Sequence, residues 1–214
     1  LIHGAAVKDL IVQNIAFYTR LLKLEDSVLR AQAQKFADIM TSFRPDFVEE
    51  MTGIAEGAGV APVYIYMINA RTELLSLGGI VQSECATFFF QEKGLLFENW
   101  DWSEPSKDLT VLLHITLPNG TTILTFTEAG MLGKVGMSSQ GFGVAFNYLY
   151  PNADLGGVPI PALLRALLEA PSFEDAKALL AGSEHVGTSG NILLASSLGE
   201  AVDFELSGSG TSTI

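Results

Sequence analysis

The chain has 214 residues, 48% hydrophobic and 17% charged, which suffices for one large domain with a sizeable core and leaves disorder without support. Its formal net charge of −12 excludes a nucleic-acid surface, because phosphates would be repelled. One cysteine excludes an internal disulfide, the 3 histidines lie far apart with no zinc spacing, and no apolar run reaches the roughly 18 residues of a membrane-spanning helix.

Residues 1 to about 80 read as helical. In "KDLIVQNIAFYTRLL" the residues Leu10, Ile11, Ile15, Phe17, Leu21 and Leu22 fall at helical spacing. In "DSVLRAQAQKFADIMTSF" a stripe of Leu29, Ala33, Phe36 and Met40 predicts a second helix, with Asp26 or Ser27 as N-cap. Pro45 opens a third, closed by Gly57 and Gly59, and "PVYIYMINARTELLS" reads as a single fourth helix broken by Gly78 and Gly79.

After residue 84 the pattern turns to strands. "ATFFF" and "GLLFENW" flank a turn at 91–94, and "LTVLLHITL" and "TTILTFTEA" flank Pro118-Asn119-Gly120, a strong hairpin signal. "VGMSSQGFGVAFNYLY" adds two short strands around Gln140-Gly141. Two helices follow, "PALLRALLEA" and "SFEDAKALLA", the second capped by Ser172. "NILLASSLGEAVDFEL" is a last hairpin turning at Leu198-Gly199-Glu200. Grouped helices and grouped strands predict an α+β fold with an antiparallel sheet. No glycine-rich loop has the GxGxxG or P-loop form after a strand, so phosphate cradling lacks support.

Cys85 stands at the junction of the two halves. It has two readings. One is a small buried hydrophobe. The other is a nucleophile that becomes an N-terminus when the bond after Glu84 is cut; its new α-amine, with a pKa of roughly 7.7–8.0, then serves as the base for its own thiol and no histidine is needed.

"CATFFFQEKGLLFENWDW", "GIAEGAG", "NARTE", "IHGAAVKDLIVQNIAFY", "SSQGFGVAFNYL" and "GNILLASSLGEAVDFE" together resemble the acyl-coenzyme A:6-aminopenicillanic acid acyltransferases, cysteine N-terminal-nucleophile hydrolases with distant kin in penicillin V acylases and bile salt hydrolases. The resemblance covers essentially the whole chain. It implies a four-layer αββα sandwich, here incomplete at both ends. Residues 1–84 would be a helical pro-segment that stays bound as a small subunit, and residues 85–214 the nucleophile-bearing large subunit. The expected reaction forms an acyl-Cys85 intermediate from an amide or acyl-CoA thioester and passes the acyl group to water or an amine. No cofactor and no metal are implied; acyl-CoA enters only as a donor substrate. Partners would be small molecules, with neither nucleic acid nor membrane. The location would be cytoplasmic, or peroxisomal by the resemblance.

By the same resemblance Asp101, in "NWDW", holds the Cys85 amine or a substrate amine, against a reading as a turn acid. Asn147 donates to an oxyanion, against a reading as filler of a strand end. Tyr148, beside Asn147, borders the substrate or packs within the strand. The site residues are thus Cys85, Asp101, Asn147 and Tyr148. Glu98 stands where the hydrolases carry an arginine, so an acid there is expected to disfavour anionic substrates. Arg71 and Glu73 read as helix-end charges or as shapers of the cleavage site. Trp100 and Trp102 are expected to face away from Asp101 along one strand, into the core, and Phe88 and Phe90 to pack in the core or line an acyl pocket. Glu84 and Ala86 replace the family's usual glycine and threonine around the cysteine. The family also has a strand before "IHG", a later asparagine-bearing stretch and a later arginine. A second reading, from another class, is a truncated inactive member acting as a binding scaffold.

Overall fold

A computed structural model describes residues 1–78, 85–149, 156–182, 186–207 and 210–213. The helical half consists of α1 (Ile2–Ala6), α2 (Lys8–Leu22), α3 (Asp26–Phe43), α4 (Pro45–Ala58), α5 (Pro62–Asn69) and α6 (Arg71–Leu77). The sequence stripes bury as their period demands: Leu29, Ala33, Phe36 and Met40 of α3 are all inside, against Ile11 and Tyr18 of α2 and Met51 and Ile54 of α4. The helix expected over "KDLIVQNIAFYTRLL" is α2, with the short α1 before it across Val7, whereas the single helix expected over "PVYIYMINARTELLS" is split: Ala70, with φ −120° and ψ 18°, separates α5 from α6. Glu25 is the N-cap of α3, and Asp26 lies in its first turn, where its charge suits the helix dipole. The glycines of α1 and α4 have a steric purpose: a Cβ at Gly4 would strike the carbonyl oxygen of Ile54, and one at Gly57 that of Leu1. The two helices therefore touch backbone to backbone.

The strand half holds β1 (Ala86–Phe90), β2 (Leu95–Asn99), β3 (Thr110–Thr116), β4 (Thr122–Glu128), β5 (Val135–Ser138), β6 (Phe142–Tyr148), β7 (Gly190–Ser196), β8 (Ala201–Ser207) and β9 (Gly210–Thr213), with α7 (Ile160–Leu168) and α8 (Phe173–Ala181) between β6 and β7. Strands β3 to β9 form a seven-stranded antiparallel sheet in sequence order. The short β9 lies in a tail for which no element was expected. Ser172 caps α8 as expected, its Oγ accepting from the Asp175 N–H at 3.1 Å. Helices α7 and α8 cover one face of the sheet through Phe142, Val144, Phe146, Ile192 and Leu194.

On the other face the β1–β2 hairpin lies over β6 and β7, with Leu96 closing on Gly143. The fold is α+β. Among the described residues the second sheet consists of this hairpin. Its outer face is open: Phe88 and Phe90 are 48% and 53% exposed, Phe88 stacked on Phe97 and Phe90 edge-on to it. The expectation that they fill the core is corrected, because alternation turns Thr87 and Phe89 inward instead.

Candidate active site

Cys85 is the residue immediately before β1, half-buried, and its thiol donates weakly to the carbonyl oxygen of Asp101 at 3.7 Å. It opens on a cavity of about 40 Å³. That volume holds a few water molecules. The walls come from both halves of the molecule: Arg71, Thr72 and Leu75 of α6, Trp100 to Trp102 after β2, Met131 and Lys134 of the β4–β5 connection, Phe146 and Tyr148 of β6, and the start of α7.

Helix α6 is anchored by buried charge. Arg71 Nε donates to Glu128 Oε2 at 2.7 Å, and Tyr18 Oη donates to the other oxygen of Glu128 at 2.5 Å. Glu73 accepts the Ile160 N–H at 2.8 Å, which satisfies an otherwise orphan donor at the first turn of α7. Among the described residues its Oε2 has no hydrogen-bond partner, and burial pushes its carboxyl up to about 7. Arg71 and Glu73 are therefore not surface helix-end charges: they are 5% and 0% exposed and lock the helical half to the sheet half beside Cys85.

The β4–β5 connection is held from the helical side as well. Asn69 donates from Nδ2 to the Gly130 carbonyl and accepts the Leu132 N–H at Oδ1, and Lys134 N–H donates to Thr125 Oγ1 at 3.0 Å. His3 accepts the Gly130 N–H through Nε2 at 3.3 Å. Burial, the N-terminal charge and Arg165 bring His3 down to about 4, so it is neutral and able to accept. Lys134 is thereby fixed with 6% exposure, its Nζ 3.4 Å from the centre of the Trp100 ring. Burial, then the Arg71 charge, lower this amine to about 7, against the opposing pull of Glu128, Glu98 and Cys85.

Of the residues expected at the site, Cys85, Asp101 and Tyr148 share the cavity. Asp101 is exposed, and it is its backbone carbonyl that meets the thiol. Tyr148 Oη is hydrogen-bonded with Ser76 Oγ at 2.8 Å. Asn147 is absent from the cavity wall. It neighbours Tyr148 on a strand, so the two point to opposite sides of the sheet. Its Nδ2 faces the hairpin, donating to Thr87 Oγ1 at 2.9 Å and Asn191 Oδ1 at 3.3 Å. Glu98 turns between hairpin and sheet, where its Oε2 accepts the Phe146 N–H at 3.0 Å and burial raises its pKa. It does not line the Cys85 cavity. Trp100 and Trp102 do line it, together with Asp101. Their expected separation fails because β2 stops at Asn99, and the irregular backbone beyond it has no alternation to impose.

Lys134 is the site residue that sequence reasoning missed. A signal existed: it is the sole charged residue between Glu128 and Asp154, set in the apolar run "MLGKVGM". An isolated charge in such a run is buried with a partner or with a task.

No family model matches the chain. The acyl-coenzyme A:6-aminopenicillanic-acid-acyltransferase 40 kDa form of Emericella nidulans is 33% identical to it over 183 residues, 81% of this chain and 51% of the relative. The chain thus spans about half the length of this curated relative.

Proposed function

We propose that this chain, a distant relative of the acyl-coenzyme A:6-aminopenicillanic acid acyltransferases, is the nucleophile-bearing part of a self-processing cysteine acyltransferase or amidohydrolase. The observation that carries the reading is the position of Cys85. The one thiol of the chain sits at the junction of the helical and strand halves, on the wall of a cavity that both halves build.

In this reading the bond between Glu84 and Cys85 is cut, residues 1–84 remain docked through Arg71, Glu73 and Asn69, and the product is the αββα architecture of N-terminal-nucleophile hydrolases. The freed α-amine takes the thiol proton. The thiolate adds to the carbonyl carbon of an amide or a thioester, the leaving amine or thiol departs with a proton, and an acyl-Cys85 thioester remains. Water or an amine then attacks that carbonyl and regenerates the thiol. Asp101 holds the cationic α-amine or the substrate amine, and Tyr148 borders the acyl group. Asn147 lies outside the cavity wall, so a role as oxyanion donor requires its side chain to leave Thr87 or Asn191 and turn towards Cys85.

The test is a panel of hydrophobic acyl amides and acyl thioesters incubated with the protein, followed by mass spectrometry of the fragment that starts at Cys85. A mass increase equal to one acyl group, absent in Cys85→Ala and kept when each histidine is replaced, is expected. A fragment with a free N-terminus at Cys85 that accepts no acyl group from any donor leaves the inactive-scaffold reading in its place.

A further inference from the structure

The processing scheme has a gap that the structure addresses. Before the chain is cut, the Cys85 nitrogen is an amide, which cannot accept a proton. The thiol needs another base for the first step, and no histidine is among the residues lining the cavity. We propose that Lys134 is that base, the amine that accepts the thiol proton of Cys85 in the uncleaved chain.

The inference rests on the reading of Cys85 given above and on four observations. Lys134 and Cys85 line the same cavity of about 40 Å³, which has room for a bridging water. Lys134 is 6% exposed, so its charged form is poorly hydrated. Among the described residues its Nζ has no ion pair and no hydrogen bond; its contact is the Trp100 ring at 3.4 Å. Its backbone is clamped at Thr125, which fixes the side chain's origin. The charged groups that face it are Arg71 from α6, Glu128 from the end of β4, Glu98 from β2 and Cys85 itself, with Asp101 on the cavity wall. Their balance and the burial bring the amine to about 7, so that a neutral fraction exists near neutral pH.

The step balances. The S–H bond breaks, its electron pair stays on Sγ, and the proton goes to the Nζ lone pair. The ammonium so formed is stabilised by the Trp100 ring face. The thiolate adds to the carbonyl carbon of the preceding peptide bond. Lys134 returns the proton to the departing Cys85 nitrogen, the C–N bond breaks, and a thioester results. Water hydrolyses it to a carboxylate at residue 84 and a free thiol and amine at Cys85.

Two variants separate a base from a mere positive charge. Lys134→Met removes both functions, whereas Lys134→Arg keeps a cation that cannot accept a proton. Each is followed by intact-mass spectrometry for cleavage and by timed iodoacetamide alkylation across pH, with the uncleaved chain resolved by its mass; a cooperative thermal melt confirms folding. Both variants are expected to remain uncleaved. The uncleaved Lys134→Met chain is expected to alkylate along a profile at least about one pH unit above that of Lys134→Arg. Cleavage of both variants at the wild-type rate, or coincident alkylation profiles, overturns the proposal. A wild-type chain that never cleaves sinks the processing scheme, while the two alkylation profiles still decide whether Lys134 governs the thiol.

Discussion

Arg71→Met tests the joint between the two halves of the molecule. The substitution keeps an unbranched side chain and removes the guanidinium, leaving the Glu128 carboxylate with Tyr18 as its remaining donor. The Arg71 side chain is 6% exposed and that of Glu128 0%, and their atoms are 2.7 Å apart. Stranding one member of such a pair costs about 3–5 kcal/mol. A chain of this length loses roughly 2–4 °C of Tm per kcal/mol, so the expected drop is about 6–20 °C. Urea unfolding followed by circular dichroism reads the same loss as a lower midpoint with an unchanged slope. The double variant Arg71→Met/Glu128→Gln should recover much of it, because the stranded charge is gone and the amide oxygen that replaces the carboxylate still accepts from Tyr18. A loss below about 1 kcal/mol in the single variant, or a double variant no better than the single, refutes the claim that this pair holds α6 against the sheet.

Glu73 has a folded-state pKa of about 7, above the roughly 4.3 of an unfolded chain, so the folded state holds the extra proton between those values and loses stability as pH rises through them. Glu73→Gln should therefore gain Tm relative to wild type between pH 4.5 and 7.5, read by scanning calorimetry; a pH-independent difference contradicts this. Gly190→Ala should cost about 1–3 kcal/mol in chemical denaturation, because the added methyl would strike the Phe146 ring, which walls the cavity. Unaltered stability would mean that the ring moves freely. Asp101→Asn should fold normally and lower acyl transfer by about 10²-fold or more in an amidase or thioesterase assay. Unchanged turnover after normal processing removes the carboxylate from the mechanism.

Much of the architecture was legible along the chain, because helical stripes and β-rich runs are local. The α3 stripe buried as its spacing demanded, and the Leu117 to Thr121 connection turned where Asn119-Gly120 stood, with Asn119 Oδ1 accepting the Thr121 N–H. The break at Ala70 carries no proline or glycine and was not legible. The cavity was partly legible. Cys85, Asp101 and Tyr148 were expected there and do line it. Its charged wall was not, because it is made of distant pairs: Arg71 meets Glu128 across 57 positions and Glu73 meets Ile160 across 87. Periodicity carries no record of such contacts. Trp100 and Trp102 were misassigned by extending strand alternation past Asn99, where the strand had ended.

The account stands or falls on whether Cys85 becomes an N-terminus. Intact-mass spectrometry of the purified chain, with Cys85→Ala alongside, reads this directly. The account predicts two fragments in the wild type, of 84 and 130 residues (214 minus 84), which co-elute because the halves remain docked, and a single uncut chain in the variant. A folded wild-type chain that stays whole after prolonged incubation contradicts it.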